Sequence, residues 1–293
     1  MITNFFSAPK SSVLTQLASH RIRRCARTLC ARTLGLSALA LSVLGGCTSS
    51  PLGRSQLVLF PESQMAEMGS LAYQEMRSQT PASSDGRANG YVSCVARAII
   101  DANPELSTQN WEITLFDGDQ ANAFALPGGK LGVYTGMLAV AENQDQLAAV
   151  VGHELAHVVA RHGNERVSTN YASQGVLQVA AVAAGGAGGA RNELFSLLGL
   201  GTQVGVLLPF GRAQESEADL LGLDYMAKAG FRPSEASNLW RNMSAASGGS
   251  QQPGFLSTHP SAEDRIKKLD ERAPQASEIA SAARANGRRP DCG

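Results

Sequence analysis

One segment, VVGHELAHVVARHGNER from Val150 to Arg166, restricts the fold more than any other. Val150, Val151, Leu155, Ala156, Val158 and Val159 surround it with apolar side chains and demand a buried helix, expected from Gln144 to Arg161. Within that helix stand His153, Glu154 and His157. At about 100° per residue, His157 falls about 40° and Glu154 about 100° from His153, so all three share one face. Buried imidazoles and a buried carboxylate are costly unless partnered. A metal ion supplies the partner. Two histidines one turn apart grip one Zn2+, and the glutamate beside the first lies near the metal, placed to take a proton from bound water.

Two imidazoles do not complete a catalytic zinc site; a third protein ligand is needed, with one position left for water. The helical segment Arg212–Gly230, RAQESEADLLGLDYMAKAG, offers Glu215, Glu217 and Asp219. If Glu215 binds, Asp219 follows one turn later, about 40° away, and can accept the free N–H of a ligand histidine. If Glu217 binds, its one-turn partner is Leu221, which orients nothing. Glu215 is therefore the expected ligand, Asp219 the orienting group, and Glu217 a surface or salt-bridging residue. An acidic solvated face is the alternative reading of this segment. His162 lies nine residues past His153 and is expected on the opposite side of the helix, near its C-terminal end, not as a ligand. Arg161 and Arg166 are assigned no chemistry.

The 293 residues, 43% hydrophobic and 17% charged, suit one folded domain with appended segments. A formal net charge of zero and no long basic stripe argue against nucleic acid as a partner. Residues 1–46 read as a signal peptide. A basic region around Arg21–Arg32 precedes an apolar run, Thr33–Gly46, too short for a comfortable membrane span. The run ends at LGGC, Leu44–Cys47, which resembles a lipobox that makes Cys47 a lipidated mature N-terminus. Ordinary cleavage after Ala38–Ala40 is the alternative. Residues 47–58 then form a lipidated N-terminus and linker, 59–273 the folded domain, and 274–293 a poorly ordered tail. Past Cys47 only Cys94 and Cys292 remain. In an oxidising compartment an even pair suggests one disulfide, tying the C-terminus to an early helix; two separate thiols are the alternative.

Further helices are expected over Pro61–Gln79 and Tyr91–Asn103, after Pro233, and from Pro260 or Ser261, with Thr80–Gly90 a loop. Trp111–Asp117 alternates as a strand, and Asn122–Gly136 reads as a hairpin turning at Pro127, Gly128 and Gly129. Val176–Phe210 reads as two glycine-rich helices with a mobile join, one covering a cleft. Arg191, Asn192 and Glu193 stop it short of the about 20 apolar residues a membrane span needs.

Taken in chain order, NAFALPGGKLGVYTGML, HELAHVVARHGNER, ESEAD and STHPSAEDRI make the chain resemble the HtpX and CAAX-prenyl-protease family of zinc metallopeptidases, from about Leu59 to Leu269. The likeness is nearest to the family's soluble periplasmic lipoproteins. It implies a mostly helical α+β fold, zincin-like, with a small sheet whose edge strand lines the active-site cleft, so that 59–273 is a zinc metallopeptidase domain. By the same likeness Asn122 and Ala123 are the expected main-chain contacts for an extended substrate; the alternative is a plain hairpin strand. His259, in a His-Pro pair followed by Arg265, matches a family segment near the metal. Two roles stay open for it: a hydrogen-bond donor to the oxyanion, or a plug that binds zinc and displaces water.

The expected activity is that of a zinc endopeptidase, with one Zn2+ on His153, His157 and Glu215, and Glu154 as proton carrier. The resemblance implies unfolded or misassembled envelope proteins as substrates and a place on the periplasmic side of the bacterial outer membrane, anchored by lipid at Cys47. A periplasmic assembly factor that binds unfolded outer-membrane proteins with little proteolysis is the alternative. A hydrolase of cell-wall peptides is a third reading, weakened by the apolar surroundings of the cleft.

Overall fold

The computed structural model describes residues 47–183, 209–246, 255–260 and 263–293. The signal peptide expected at 1–46 and most of the glycine-rich segment Val176–Phe210 lie outside the described residues. The chain divides into two units, Met1–Cys47 and Thr48–Gly293, and the second holds the fold. A two-stranded sheet of β1 (Cys47–Ser49) and β2 (Ser55–Leu57) opens the described chain. Helices α1 (Glu62–Gln79), α2 (Gly86–Ala102) and α3 (Pro104–Ser107) follow. Helix α2 starts at Gly86 rather than Tyr91 because Asp85 caps it: one carboxylate oxygen accepts from the N–H groups of Arg87 and Ala88 at 2.9 and 3.1 Å.

Strands β3 (Glu112–Phe116), β4 (Ala123–Leu126) and β5 (Lys130–Tyr134) form a sheet in the order β3-β5-β4. β3 runs parallel and β4 antiparallel to β5, so β4 is an edge. Gly128 and Gly129 make the β4–β5 turn with φ of 85° and 73°, a left-handed geometry that glycine adopts without a Cβ clash. Strand alternation gives the sheet two apolar faces. Ile113, Leu115, Ala123, Ala125, Leu131 and Val133 join the main core, while Phe116, Phe124, Leu126 and Tyr134 cluster with Ala72 and Tyr73 of α1.

The remaining helices are α4 (Thr135–Val140), α5 (Gln144–Val159), α6 (His162–Ala183), α7 (Arg212–Lys228), α8 (Glu235–Ala246), α9 (Phe255–Thr258) and α10 (Glu263–Ala285). Helix α5 is the axis of the molecule. The Asn143 side chain caps it, accepting from the N–H groups of Asp145 and Gln146 at 3.0 Å each. It is buried without a break from Asp145 to His157, packed against α7, α8, α2 and β4. The contact with α7 is closest where Gly152 meets Gly222: a Cβ on Gly152 would stand 2.7 Å from the Gly222 carbonyl oxygen. None of the helices among the described residues is long and apolar enough to cross a membrane.

The tail corrects one expectation. Residues from Pro274 continue α10 to Ala285 instead of losing order. Ala276, Ala280 and Ala283 are buried on one stripe, and small side chains let this helix close on the core. The last residues are then held to both α2 and α5. Cys292 is bonded to Cys94 of α2, with Cα atoms 5.6 Å apart. The Gln144 side chain accepts from the Cys292 N–H at 2.9 Å and donates to the Pro290 carbonyl at 3.0 Å. Replacing both cysteines by alanine is expected to cost about 2–4 kcal/mol of stability, because the bond closes a long loop. Urea unfolding of the variant checks this, and reductant added to the parent protein should reproduce the loss.

Candidate metal centre

Helix α5 supplies two side chains of the site, the first turn of α7 a third, and the residue after α9 a fourth. His153 Nε2 and His157 Nε2 face each other at 3.0 Å. Glu215 brings Oε2 to 3.6 Å from His153 Nε2 and Oε1 to 3.4 Å from His157 Nε2. His259 adds Nδ1 at 3.3 Å from His153 Nε2 and 3.0 Å from Glu215 Oε1. Its ring stacks on Phe255, centroids 4.2 Å apart, which fixes the plane it presents. One ligand atom from each of these four buried residues lies within 4.8 Å of the others, a group able to hold a metal ion.

The donor set fits a divalent cation. Asp219 Oδ1 stands 3.0 Å from His153 Nδ1. A carboxylate only accepts, so the His153 proton belongs on Nδ1 and Nε2 presents a lone pair. That lone pair and the Glu215 carboxylate converge on one buried point, where a cation relieves them. Imidazole nitrogens with a carboxylate oxygen are ordinary zinc ligands. Arg265 braces the carboxylates. It donates to both Asp219 oxygens at 2.7 Å each, lies 2.5 Å from Glu215 Oε2, and stacks its guanidinium 3.8 Å over Trp240. Burial alone would raise Asp219, but Arg265 outweighs it and holds the carboxyl below its ordinary value. Burial likewise opposes ionisation of Glu215, but the imidazoles of His157, His259 and His153 around it hold its carboxyl below its ordinary value.

Glu154 stands beside this cluster. Its Oε2 accepts from the Ala125 N–H of edge strand β4 at 3.2 Å, and its Oε1 is 3.4 Å from His259 Nε2. Burial, and then the charge of Glu215, push its carboxyl well above the usual range. A raised pKa suits a group that must take and return a proton near neutral pH. A cavity of about 50 Å³ touches Asn122, Ala123, Ala125, Glu154 and His259, and one of about 420 Å³ runs past Ala125, Leu126 and His157. The Asn122 carbonyl accepts from the Tyr134 N–H at 3.0 Å, within the sheet. Alternation in an antiparallel pair then turns the peptide groups of Ala123 and Ala125 outward, toward the cleft.

Residues 87–273 match Peptidase family M48. The chain belongs to this family. Among relatives of this M48 chain, "Mitochondrial metalloendopeptidase OMA1" of Schizosaccharomyces pombe is 40% identical over 187 residues, which cover 64% of this chain and 53% of the relative. "Metalloendopeptidase OMA1, mitochondrial" of Bos taurus is 31% identical over 244 residues, 78% of this chain and 46% of the relative. "Beta-barrel assembly-enhancing protease" of Escherichia coli is 26% identical over 216 residues, 72% and 44% of the two chains. The chain spans about half the length of the curated relatives it matches. These M48 relatives overturn the expected bacterial outer-membrane, lipid-anchored location. Those at 40% and 31% identity are named as mitochondrial enzymes. The envelope-protein substrates and the assembly-factor alternative fall with that location. The narrower likeness to periplasmic lipoproteins gives way to M48 as a whole. Cys47 is exposed and forms no disulfide among the described residues.

Several residues of the M48 site were not legible in the sequence. His162 is completely buried and lies beside His157 instead of across the helix from His153. The helical projection fails there because α5 ends at Val159 and Arg161 takes a left-handed φ of 57° before α6 begins. Glu217, read as a surface or salt-bridging residue, is buried and bridges His162 and Arg54. Arg166, assigned no chemistry, lines both cavities and stacks 3.6 Å over Phe210, whose ring lies 3.8 Å from that of His157. Burial lowers Arg166 to about 10, against the charges of Glu154 and Glu215. Neither Ala160 nor Arg161, where the helix breaks, is glycine or proline, and the nearby Gly163 falls inside α6.

Proposed function

We propose that this chain is a zinc-dependent endopeptidase in which His153, His157 and Glu215 hold one Zn2+. The observation that carries the reading is the convergence of these three side chains on one buried point with Glu154 alongside. The relatives' printed names, metalloendopeptidases, support cleavage within polypeptide chains. When bound, the metal supplies Lewis acidity, which lowers the pKa of water toward neutrality and polarises the scissile carbonyl.

The chain's own residues do the rest. Asp219 keeps His153 protonated on the nitrogen away from the site. Glu154 takes a proton from the attacking water and passes it to the leaving amine. An extended substrate adds to β4 as a further strand, through the outward peptide group of Ala123 and the outward carbonyl of Ala125, whose N–H is held by Glu154. Ala125 replaces Asn122 in this role, since the Asn122 carbonyl is engaged by Tyr134. His259 points Nδ1 at the ligand atoms, which favours the plug over the oxyanion donor. Hydrolysis then requires its ring to swing away.

Zinc content and casein cleavage of the purified chain test the reading together. About one zinc per chain is expected, with cleavage abolished by a chelator and restored by Zn2+. His157→Ala should lose both metal and cleavage. Full cleavage by the metal-stripped chain, or zinc retained by His157→Ala, would overturn it.

A further inference from the structure

We propose that His162, backed by Glu217, is the positioning residue that holds His157 in the tautomer and orientation its metal-binding nitrogen needs. The inference rests on the proposed zinc site. His157 directs Nε2 toward Glu215 and His153, and Nδ1 away from them. Binding a metal through Nε2 requires a lone pair there, so the ring proton must be on Nδ1. That N–H is buried and needs an acceptor.

The acceptor is another imidazole. His162 Nδ1 lies 2.9 Å from His157 Nδ1. To accept at Nδ1, His162 must carry its own proton on Nε2, where Glu217 Oε2 stands 3.2 Å away. Glu217 is kept a pure acceptor by the Arg54 Nε–H at 3.1 Å and the Leu52 N–H at 3.1 Å. Every proton in the row therefore has one direction, from His157 to His162 to Glu217. The His157 and His162 rings meet at 73°, an edge contact and not a stack, as a nitrogen-to-nitrogen bond requires. His153 receives the same service from Asp219 directly, because α7 brings that carboxylate within 3.0 Å. Among the described residues the partner at the outer nitrogen of His157 is His162 and not a carboxylate, and His162 spans the distance to one.

Zn2+ affinity by competition with a chromophoric chelator, and the visible spectrum of the Co2+-substituted chain, test the assignment. His162→Ala is expected to weaken Zn2+ binding about 10–100-fold and to alter the Co2+ bands. His162→Gln should recover most of the affinity, since its amide carbonyl accepts from His157 and its NH2 donates to Glu217. Unchanged affinity and spectrum in His162→Ala would overturn the proposal. So would equal weakening in both variants, or failure of both to fold, which mark a residue that only fills space. Zn2+ retained by His157→Ala sinks the zinc site itself, a result distinct from these.

Discussion

Glu154→Gln is expected to keep its zinc and to cleave casein about 100–10,000-fold more slowly than the parent chain. The substitution exchanges one oxygen for an amide of the same shape. Its remaining oxygen can still accept the Ala125 N–H, so the edge strand keeps its anchor. Glu154 is not among the four residues whose ligand atoms converge, so metal content should not change. What is lost is basicity: an amide cannot hold the proton between water and the leaving amine. Glu154 is also raised in the parent by burial and by Glu215, and the neutral amide removes that electrostatic cost. The variant should therefore be at least as stable. Cleavage near the parent rate would show that another group carries the proton, and loss of zinc would mean that Glu154 supports the site structurally.

Gly222→Ala should damage the fold and the site together, because it forces apart the two helices that carry the ligands. A Cβ there would stand 2.6 Å from the His153 backbone nitrogen and 2.8 Å from its Cα. Both obstacles are backbone of the buried helix α5, so no side chain can step aside. Helices α5 and α7 must separate, and we expect a cost of about 3 kcal/mol, the upper end for overpacking. The same shift draws Glu215 on α7 away from His153 and His157 on α5, so Zn2+ affinity should fall with stability. Gly90→Ala is the control. A Cβ at Gly90 meets nothing within 4 Å and the residue is exposed on α2, so a gain of about 0.5–1 kcal/mol in helix stability is expected. Urea unfolding and chelator competition on the two variants decide the matter. Equal behaviour would mean that the close helix contact is not what sets the site.

What could be read from the residues was local. His153, Glu154 and His157 share a face because the spacing lies within one helical turn, and Glu215 with Asp219 repeats that logic on a second helix. The apolar surround of the first segment made burial, and hence the need for a partner, legible without coordinates. The hairpin and its glycine turn followed from equally short patterns, whereas the edge strand along the cleft was implied by the family resemblance. The location drawn from Thr33–Cys47 was a targeting inference and not a folding one, and the relatives named as mitochondrial enzymes overturned it.

Tertiary structure decided whatever depends on chain reversal or on elements far apart in sequence. His259 reaches the ligand atoms because α9 is anchored by residues far away in sequence: the Phe255 N–H donates to the Ala121 carbonyl, and its ring packs on His153 and Trp240. Arg265 braces Glu215 and Asp219 from a third helix, and Arg54 reaches Glu217 from ahead of α1. His162 defeated the helical projection for one reason: periodicity assumes an unbroken helix, and a single left-handed residue, Arg161, turned the chain back. A residue of ordinary type can take that conformation when its surroundings hold it there, at a cost of about 1–2 kcal/mol. Local sequence does not record such a cost, because the packing that repays it comes from the rest of the fold.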